Sequence, residues 1–179
     1  MKKTKKQIEQ IAKGIKLLAL DVDGVLTDGG ITLDNDGNEL KTFHVRDGHG
    51  IKMLQKAGLQ VALITGRDSK VVDRRARELG IKEVYQKCHD KRIAYKHLIE
   101  KLGVSDEEVA YIGDDIVDIP LFRKVGLAVA VADATDETKD EAMLVTKSRG
   151  GRGAVREICD LILKANGKWK VLTDEYYKI

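Results

Sequence analysis

The 179-residue sequence contains little cysteine, little proline and few aromatic residues. Its two cysteines, Cys88 and Cys159, are too few for a disulfide framework and do not have the spacing of a metal-binding pair. Aromatic residues make up 4% of the chain, and no basic stripe with interleaved aromatics occurs, so nucleic acid is not an expected partner. No apolar run reaches the length of a membrane span, which argues against a membrane protein.

Charged residues are abundant and nearly balanced. Lysine and arginine total 32, aspartate and glutamate total 29, and the net charge is +3. Residues 1–16 are rich in lysine but contain no apolar segment typical of a secretory signal, so we expect a cytoplasmic protein. A chain of this length fits one domain, which we assign to residues 1–179.

Short apolar runs alternate with helical patterns along most of the chain. Four runs predict strands buried on both faces, namely residues 17–20, 61–64, 109–112 and 127–131. Helical periodicity occurs at residues 50–57, 69–79, 91–102, 116–124 and 154–163. This alternation predicts an α/β fold, a Rossmann-like three-layer sandwich with a central parallel sheet.

One segment interrupts the alternation directly after the first strand. Residues 30–46 contain two strand-like stretches around a polar turn at residues 34–38, which predicts a β-hairpin flap. A C-terminal tail, residues 166–179, follows the last predicted helix.

Polar residues follow three of the predicted strands. They are Asp21 and Asp23 after the first, Thr65, Gly66 and Arg67 after the second, and Asp114, Asp115 and Asp118 after the third. Open parallel sheets bind ligands beyond the carboxyl ends of their strands. We therefore expect these residues to converge at one edge of the sheet.

Their chemistry fits the hydrolysis of a phosphate monoester. Mg²⁺ prefers carboxylate, phosphate and water oxygens, and Asp21 and Asp114 offer carboxylates from two strands. Asp21 is the candidate nucleophile, and Asp23 the candidate acid and base. Thr65 and the Gly66 amide are candidate ligands for the phosphoryl oxygens.

The transferring phosphoryl group also requires a positive charge. Lys91, at the start of a predicted helix, is the best placed candidate, although Lys87 and Arg92 lie close in sequence. A solvated lysine at a helix start is the alternative interpretation.

These residues resemble the four motifs of the haloacid dehalogenase superfamily. The motifs are residues 21–29, residues 64–67, Lys91 and residues 113–118. The resemblance implies that Asp21 is the nucleophile and that Asp23 is the acid and base, with its main-chain carbonyl on the metal. It also implies that Asp114 binds Mg²⁺ and that Asp115 reaches the metal through water. Asp118 would support these residues without contacting the metal itself.

The chain lacks room for a cap domain between its first motif and the next helix, and it is similar to a capless subgroup of that superfamily. Residues 43–51 and 149–157 carry this similarity. The subgroup implies hydrolysis of an eight-carbon sugar-acid phosphate that supplies a lipopolysaccharide precursor. It also implies a homotetramer with central hairpins, in which the tail covers a neighbour's site.

Several alternatives stay open at this point. Four arginines are candidates for binding the sugar acid or are surface residues, namely Arg46, Arg67, Arg149 and Arg152. The amides of residues 150–153 could bind an anion or merely form a loop. The substrate could be a nine-carbon keto acid phosphate. The chain could also be a mutase, or a non-catalytic oligomerisation module of the kind fused to cytidylyltransferases.

Overall fold

Six parallel strands form the central sheet in the computed structural model, which describes residues 3–178 apart from the side chain of residue 175. The strands are β1 (Leu17–Leu20), β4 (Gln60–Ile64), β5 (Glu83–Tyr85), β6 (Val109–Gly113), β7 (Leu127–Ala130) and β8 (Leu144–Val145), in the spatial order β5-β4-β1-β6-β7-β8. Central strand β1 is fully buried and pairs with β4 and β6, with Leu20 beside Leu63 and Ile112. The carboxyl ends of these three strands therefore lie side by side.

Helices flank the sheet and complete the predicted α/β sandwich. They are α1 (Lys5–Ala12), α2 (Val45–Lys56), α3 (Lys70–Leu79), α4 (Lys91–Leu102), α5 (Ile119–Phe122), α6 (Asp136–Glu141), α7 (Ala154–Ala165) and α8 (Trp169–Thr173). Helix α7 packs against α1, α2 and α8, whereas α4 packs against α5. None of the helices within residues 3–178 combines the length and apolarity needed to cross a bilayer.

The four strands with continuous apolar runs form where the sequence predicts them, to within one residue. Strands β5 and β8 were not predicted, because both are short and only half-buried and so lack a continuous apolar run. Helix α1 and the six-residue α6 were not predicted either.

The hairpin is shorter than predicted. Its strands are β2 (Thr32–Leu33) and β3 (Glu39–Leu40), and the Asp34 carboxylate stabilises the turn by accepting hydrogen bonds from Asn38. Residues 45–46 belong to α2, so the predicted hairpin boundary at residue 46 and the predicted helix start at residue 50 are both wrong.

Asp47 lies in the first turn of α2 and is buried. Its carboxylate accepts hydrogen bonds from the Gly153 amide at 3.1 Å and the Arg156 amide at 2.7 Å, and so caps α7. The Gly150 amide bonds to Asp133, and the Gly151 amide bonds to the Val25 carbonyl. These glycine amides are engaged within the chain, which favours the loop interpretation over an anion site.

The described part of the tail folds back onto its own chain. The Trp169 ring lies 4.7 Å from the Lys164 ammonium and 5.8 Å from the Arg156 guanidinium. A 3-10 turn at Asp174–Tyr177 follows α8. Residue 179 lies outside the described residues, and coverage of a neighbour's site stays a prediction.

Candidate active site

The three strand ends meet in a cavity of about 440 Å³. Its lining residues are Asp21, Asp23, Gly29, Thr65, Gly66, Arg67, Cys88, His89, Lys91, Asp114, Asp115 and Val117. The parallel pairing of β1 with β4 and β6 explains this convergence, because Asp21, Thr65 and Asp114 each follow one of these strands.

Asp21 is only 7% exposed and is held by its neighbours. One carboxylate oxygen accepts a hydrogen bond from the Val22 amide at 2.7 Å, and the other lies 2.9 Å from the Lys91 ammonium. Burial raises the pKa of Asp21 to about 6; Lys91 opposes this shift, and Asp118 adds to it. The carboxylate is thus poorly solvated, as a reactive nucleophile requires.

Lys91 begins α4, where the Asp90 side chain caps the helix. Its ammonium also lies 2.6 Å from one oxygen of Asp118, which accepts a further hydrogen bond from the Tyr111 hydroxyl at 2.7 Å. The other Asp118 oxygen accepts the Asp114 amide at 3.0 Å. Burial alone would lower the pKa of Lys91, but the two adjacent carboxylates raise it above its ordinary value.

The other two candidate cations near Lys91 are directed elsewhere. The Lys87 ammonium pairs with exposed Asp68 at 2.8 Å, and Arg92 pairs with Asp90 at 2.7 Å. Of these three cations, the structure brings Lys91 to Asp21.

Asp114 has the arrangement expected of a metal ligand. Its buried Oδ1 atom has no hydrogen-bond partner within the described residues. Burial, followed by the charges of Asp21 and Asp118, raises the pKa of Asp114 to about 8. Oxygens of these three carboxylates lie within 4.8 Å of one another. Clustered carboxylates of this kind fit a divalent cation. The candidate ligands are Asp21 and Asp114, because each oxygen of Asp118 already accepts two hydrogen bonds within the chain.

Gly24 makes room for this cluster. Its φ is +87°, and a Cβ atom there would lie 2.0 Å from an Asp114 carboxylate oxygen. Only glycine accommodates both the backbone conformation and the close approach.

One residue of the hairpin segment, Lys41, reaches Asp23, and the sequence analysis missed both Lys41 and its partner Glu39. The Lys41 ammonium contacts one Asp23 oxygen, and the Arg67 guanidinium lies 3.6 Å from the other. Glu39 pairs with Lys41 at 3.2 Å and with Arg67 at 2.8 Å, and it accepts the Ser69 hydroxyl at 2.5 Å. The available signal was the spacing of Glu39 and Lys41, which places both on one side of an extended strand.

The remaining predicted residues are placed as follows. Thr65 is buried in the cavity wall beside Gly66, and Asp115 is exposed at the rim, where it accepts the Ile116 amide. Of the four candidate arginines, Arg67 lines the cavity. Arg46 is exposed in the first turn of α2, Arg149 pairs with Asp133 at 3.1 Å, and Arg152 pairs with Asp28 at 3.2 Å.

The chain is similar to several known proteins. Residues 76–158 match the family described as haloacid dehalogenase-like hydrolase. The chain is 54% identical over 157 residues to the 3-deoxy-D-manno-octulosonate 8-phosphate phosphatase KdsC of Escherichia coli (strain K12), covering 88% of this chain and 84% of that protein.

Two solved structures are also similar. The 3-deoxy-D-manno-octulosonate 8-phosphate phosphatase from Yersinia pestis superposes with a TM-score of 0.90 at 51% identity, covering 90% of this chain and 88% of that one. The enzyme of that name from Moraxella catarrhalis, in complex with magnesium, phosphate and KDO, superposes with a TM-score of 0.94 at 43% identity, covering 97% and 99%.

Proposed function

The chain belongs to the haloacid dehalogenase-like hydrolases and is a phosphatase, and we propose that it hydrolyses 3-deoxy-D-manno-octulosonate 8-phosphate. The products are the free sugar acid, a lipopolysaccharide precursor, and inorganic phosphate. One observation carries the chemistry: the buried Asp21 carboxylate lies 2.9 Å from the Lys91 ammonium and within 4.8 Å of a carboxylate oxygen of Asp114, whose Oδ1 atom has no hydrogen-bond partner within the described residues. The names of the relatives support the choice of substrate.

In the first step, an Asp21 carboxylate oxygen attacks phosphorus, and the bond from phosphorus to the sugar oxygen breaks. The product on the enzyme is an aspartyl-phosphate. Asp23 gives a proton to the leaving alkoxide, since it lies at the cavity edge two residues from the nucleophile. Thr65 and the Gly66 amide orient the phosphoryl oxygens, and Lys91 offsets their charge.

In the second step, Asp23 accepts a proton from water, and the water oxygen attacks phosphorus. The bond from phosphorus to Asp21 breaks, and phosphate leaves with the nucleophile regenerated. The same carboxylate acts as acid and then as base, so each turnover restores its starting protonation state.

Mg²⁺ is the proposed cofactor. Asp21 and Asp114 would hold it through carboxylate oxygens and Asp23 through its main-chain carbonyl, with Asp115 acting through water. The bound ion supplies charge neutralisation for the phosphate dianion. The magnesium in the Moraxella catarrhalis structure supports this choice.

Arg67 is the proposed ligand for the substrate carboxylate, because it is the candidate arginine that lines the cavity and is 43% exposed. Its planar guanidinium suits a carboxylate. Arg46, Arg149 and Arg152 would need to change partners or to act across a subunit interface. A nine-carbon keto acid phosphate is the second candidate substrate, since the catalytic residues alone do not select chain length.

We also propose that the protein is a cytoplasmic homotetramer. The hairpin exposes Ile31, Leu33 and Leu40, an apolar surface suited to contact with other copies. Both cysteines are free thiols, as is usual in the reducing cytoplasm. Sedimentation equilibrium tests the assembly, and a fully active monomer would contradict it.

The decisive experiment is phosphate release from eight-carbon and nine-carbon keto acid phosphates and from hexose phosphates. We expect a preference for the eight-carbon acid that is abolished by chelation and restored by Mg²⁺. The Asp21→Asn variant should be inactive, whereas Asp136→Asn, an isosteric change on the exposed surface of α6, should retain activity. Release of no phosphate from any ester by the folded protein would favour the oligomerisation module instead.

A further inference from the structure

The hairpin segment carries a buried ammonium group into the catalytic region. Lys41 directly follows β3, and its side chain is 1% exposed. A buried charge is tolerated only when it is paired and hydrogen-bonded. Its partners are the carboxylates of Asp23, which it contacts directly, and Glu39, at 3.2 Å.

Asp23 depends on such partners for its orientation. It lies on the turn after β1, and its side chain is 21% exposed. One of its oxygens faces Lys41, and the other faces Arg67 at 3.6 Å. The two cations bracket the carboxylate and restrict its orientation.

The two cations are not equivalent. Arg67 also pairs with Glu39, at 2.8 Å, but its side chain is 43% exposed and borders the cavity, where an anionic ligand can reach it. The Lys41 side chain has almost no exposed surface and pairs with Glu39, whose carboxylate also accepts a hydrogen bond from the Ser69 hydroxyl at the start of α3. Lys41 is therefore the partner that stays on Asp23 when Arg67 engages substrate.

We propose that Lys41 is a positioning residue for the acid–base carboxylate Asp23, fixed in turn by Glu39. This inference rests on the proposed function, because it requires Asp23 to exchange protons with the leaving group and with water. It gives the hairpin a catalytic role within its own subunit. A displacement of about 1 Å in a catalytic group can cost about 10²-fold in rate.

The test compares two esters that differ in their need for a proton. A sugar-acid phosphate has an alkoxide leaving group that must be protonated, whereas p-nitrophenyl phosphate releases a phenolate that needs no proton. The value of kcat/KM covers the steps up to formation of the aspartyl-phosphate. For Lys41→Met we expect kcat/KM to fall about 10²-fold on the sugar ester and to change little on the aryl ester.

Three further variants complete the design. Lys52→Met, which removes an exposed lysine of α2, is the matched control and should resemble the wild type on both esters. Glu39→Gln keeps the side-chain shape and loosens Lys41, so it should show the same selective loss to a smaller extent. In the Lys41→Met/Asp23→Asn double variant, the sugar-ester kcat/KM should fall no further than in Asp23→Asn alone, because Lys41 acts through Asp23.

The outcomes separate the two proposals. Equal losses on both esters in Lys41→Met and Glu39→Gln, or additive losses with Asp23→Asn, would overturn the positioning role and leave the proposed function intact. If Lys41→Met does not fold, Glu39→Gln in the Asp23→Asn background decides, because a loss through Arg67, which also pairs with Glu39, would add to that of Asp23→Asn. If the wild type cleaves neither ester, or if Asp23→Asn turns over normally, both proposals fail.

Discussion

Replacement of Asp114 by asparagine should stabilise the metal-free protein while abolishing its activity. The folded protein raises the pKa of Asp114 from 3.8 to about 8, chiefly through burial and then through the charges of Asp21 and Asp118. Asparagine has nearly the same shape and no charge, so it removes the repulsion within this cluster. The proposed function, not stability, would account for an ionisable group at this position.

The magnitude follows from the size of the pKa shift. Each pKa unit corresponds to about 1.36 kcal/mol, so the shift between the ordinary value and pH 7 costs at most about 4 kcal/mol. We expect about half of this to be recovered, because Asp114 is partly exposed and because the asparagine amide must also be desolvated. For a chain of this size, about 2 kcal/mol raises the Tm by about 4–8 °C.

The raised pKa also determines how the Tm difference between variant and wild type changes with pH. The folded-state pKa of Asp114 lies above the unfolded value. The stabilising contribution of protonated Asp114 to the free energy of unfolding is therefore complete at acid pH and is lost as pH rises from about 4 to about 8. The Tm advantage of Asp114→Asn over the wild type should therefore grow over this range. Added Mg²⁺ should raise the wild-type Tm and leave the variant nearly unchanged, because ligand binding stabilises only the form that binds.

Differential scanning calorimetry in chelator, across this pH range and with or without Mg²⁺, measures both effects. Asp136→Asn is the isosteric control, since Asp136 is exposed and its nearest cation is Lys139 at 3.5 Å. An Asp114→Asn variant that melts at or below the wild-type temperature near pH 8 without metal would refute the electrostatic reasoning. An equal response of both proteins to Mg²⁺ would remove Asp114 from the metal site.

Two further predictions concern stability. Asp47→Ala should lower the free energy of unfolding by about 2–4 kcal/mol in urea denaturation, since it removes the cap of α7 and leaves two part-buried amides without their acceptor. A loss no larger than that of Asp136→Ala would contradict this. Gly150→Ala would place a Cβ atom 1.7 Å from the Gly24 carbonyl oxygen, so we expect a lower Tm and lower activity. Gly14→Ala is the control and should be tolerated, because the nearest atom to its added Cβ lies 3.5 Å away. A Gly150→Ala variant with wild-type Tm would show that the loop can move aside.

The sequence was sufficient for much of the fold because the relevant patterns are local. Buried parallel strands are continuous apolar runs, and β1 lies where its run predicts it. Helix α4 has its predicted bounds, residues 91–102, since its periodic pattern is preceded by a capping aspartate and ends at a glycine. Edge strands β5 and β8 have no such pattern, and only pairing with a neighbouring strand defines them.

The hairpin shows where local reasoning ends. A polar turn predicts that the chain reverses, but it does not determine where the flanking strands stop. The second strand ends at Leu40, and residue 45 already belongs to α2, whose Asp47 accepts a hydrogen bond from an amide 106 residues further along the chain. A contact between residues so far apart in the sequence cannot be predicted from a short stretch of it.

The candidate site also has features that the sequence predicts and features that only the tertiary structure shows. The sequence by itself determined that Asp21, Thr65 and Asp114 would meet, because parallel strands deliver their carboxyl ends to one edge of a sheet. The tertiary structure decided which cation faces each carboxylate: Lys91 reaches Asp21, and Lys41 reaches Asp23. Such pairings depend on the paths of α4 and the hairpin over the sheet, and therefore on packing between residues far apart in sequence.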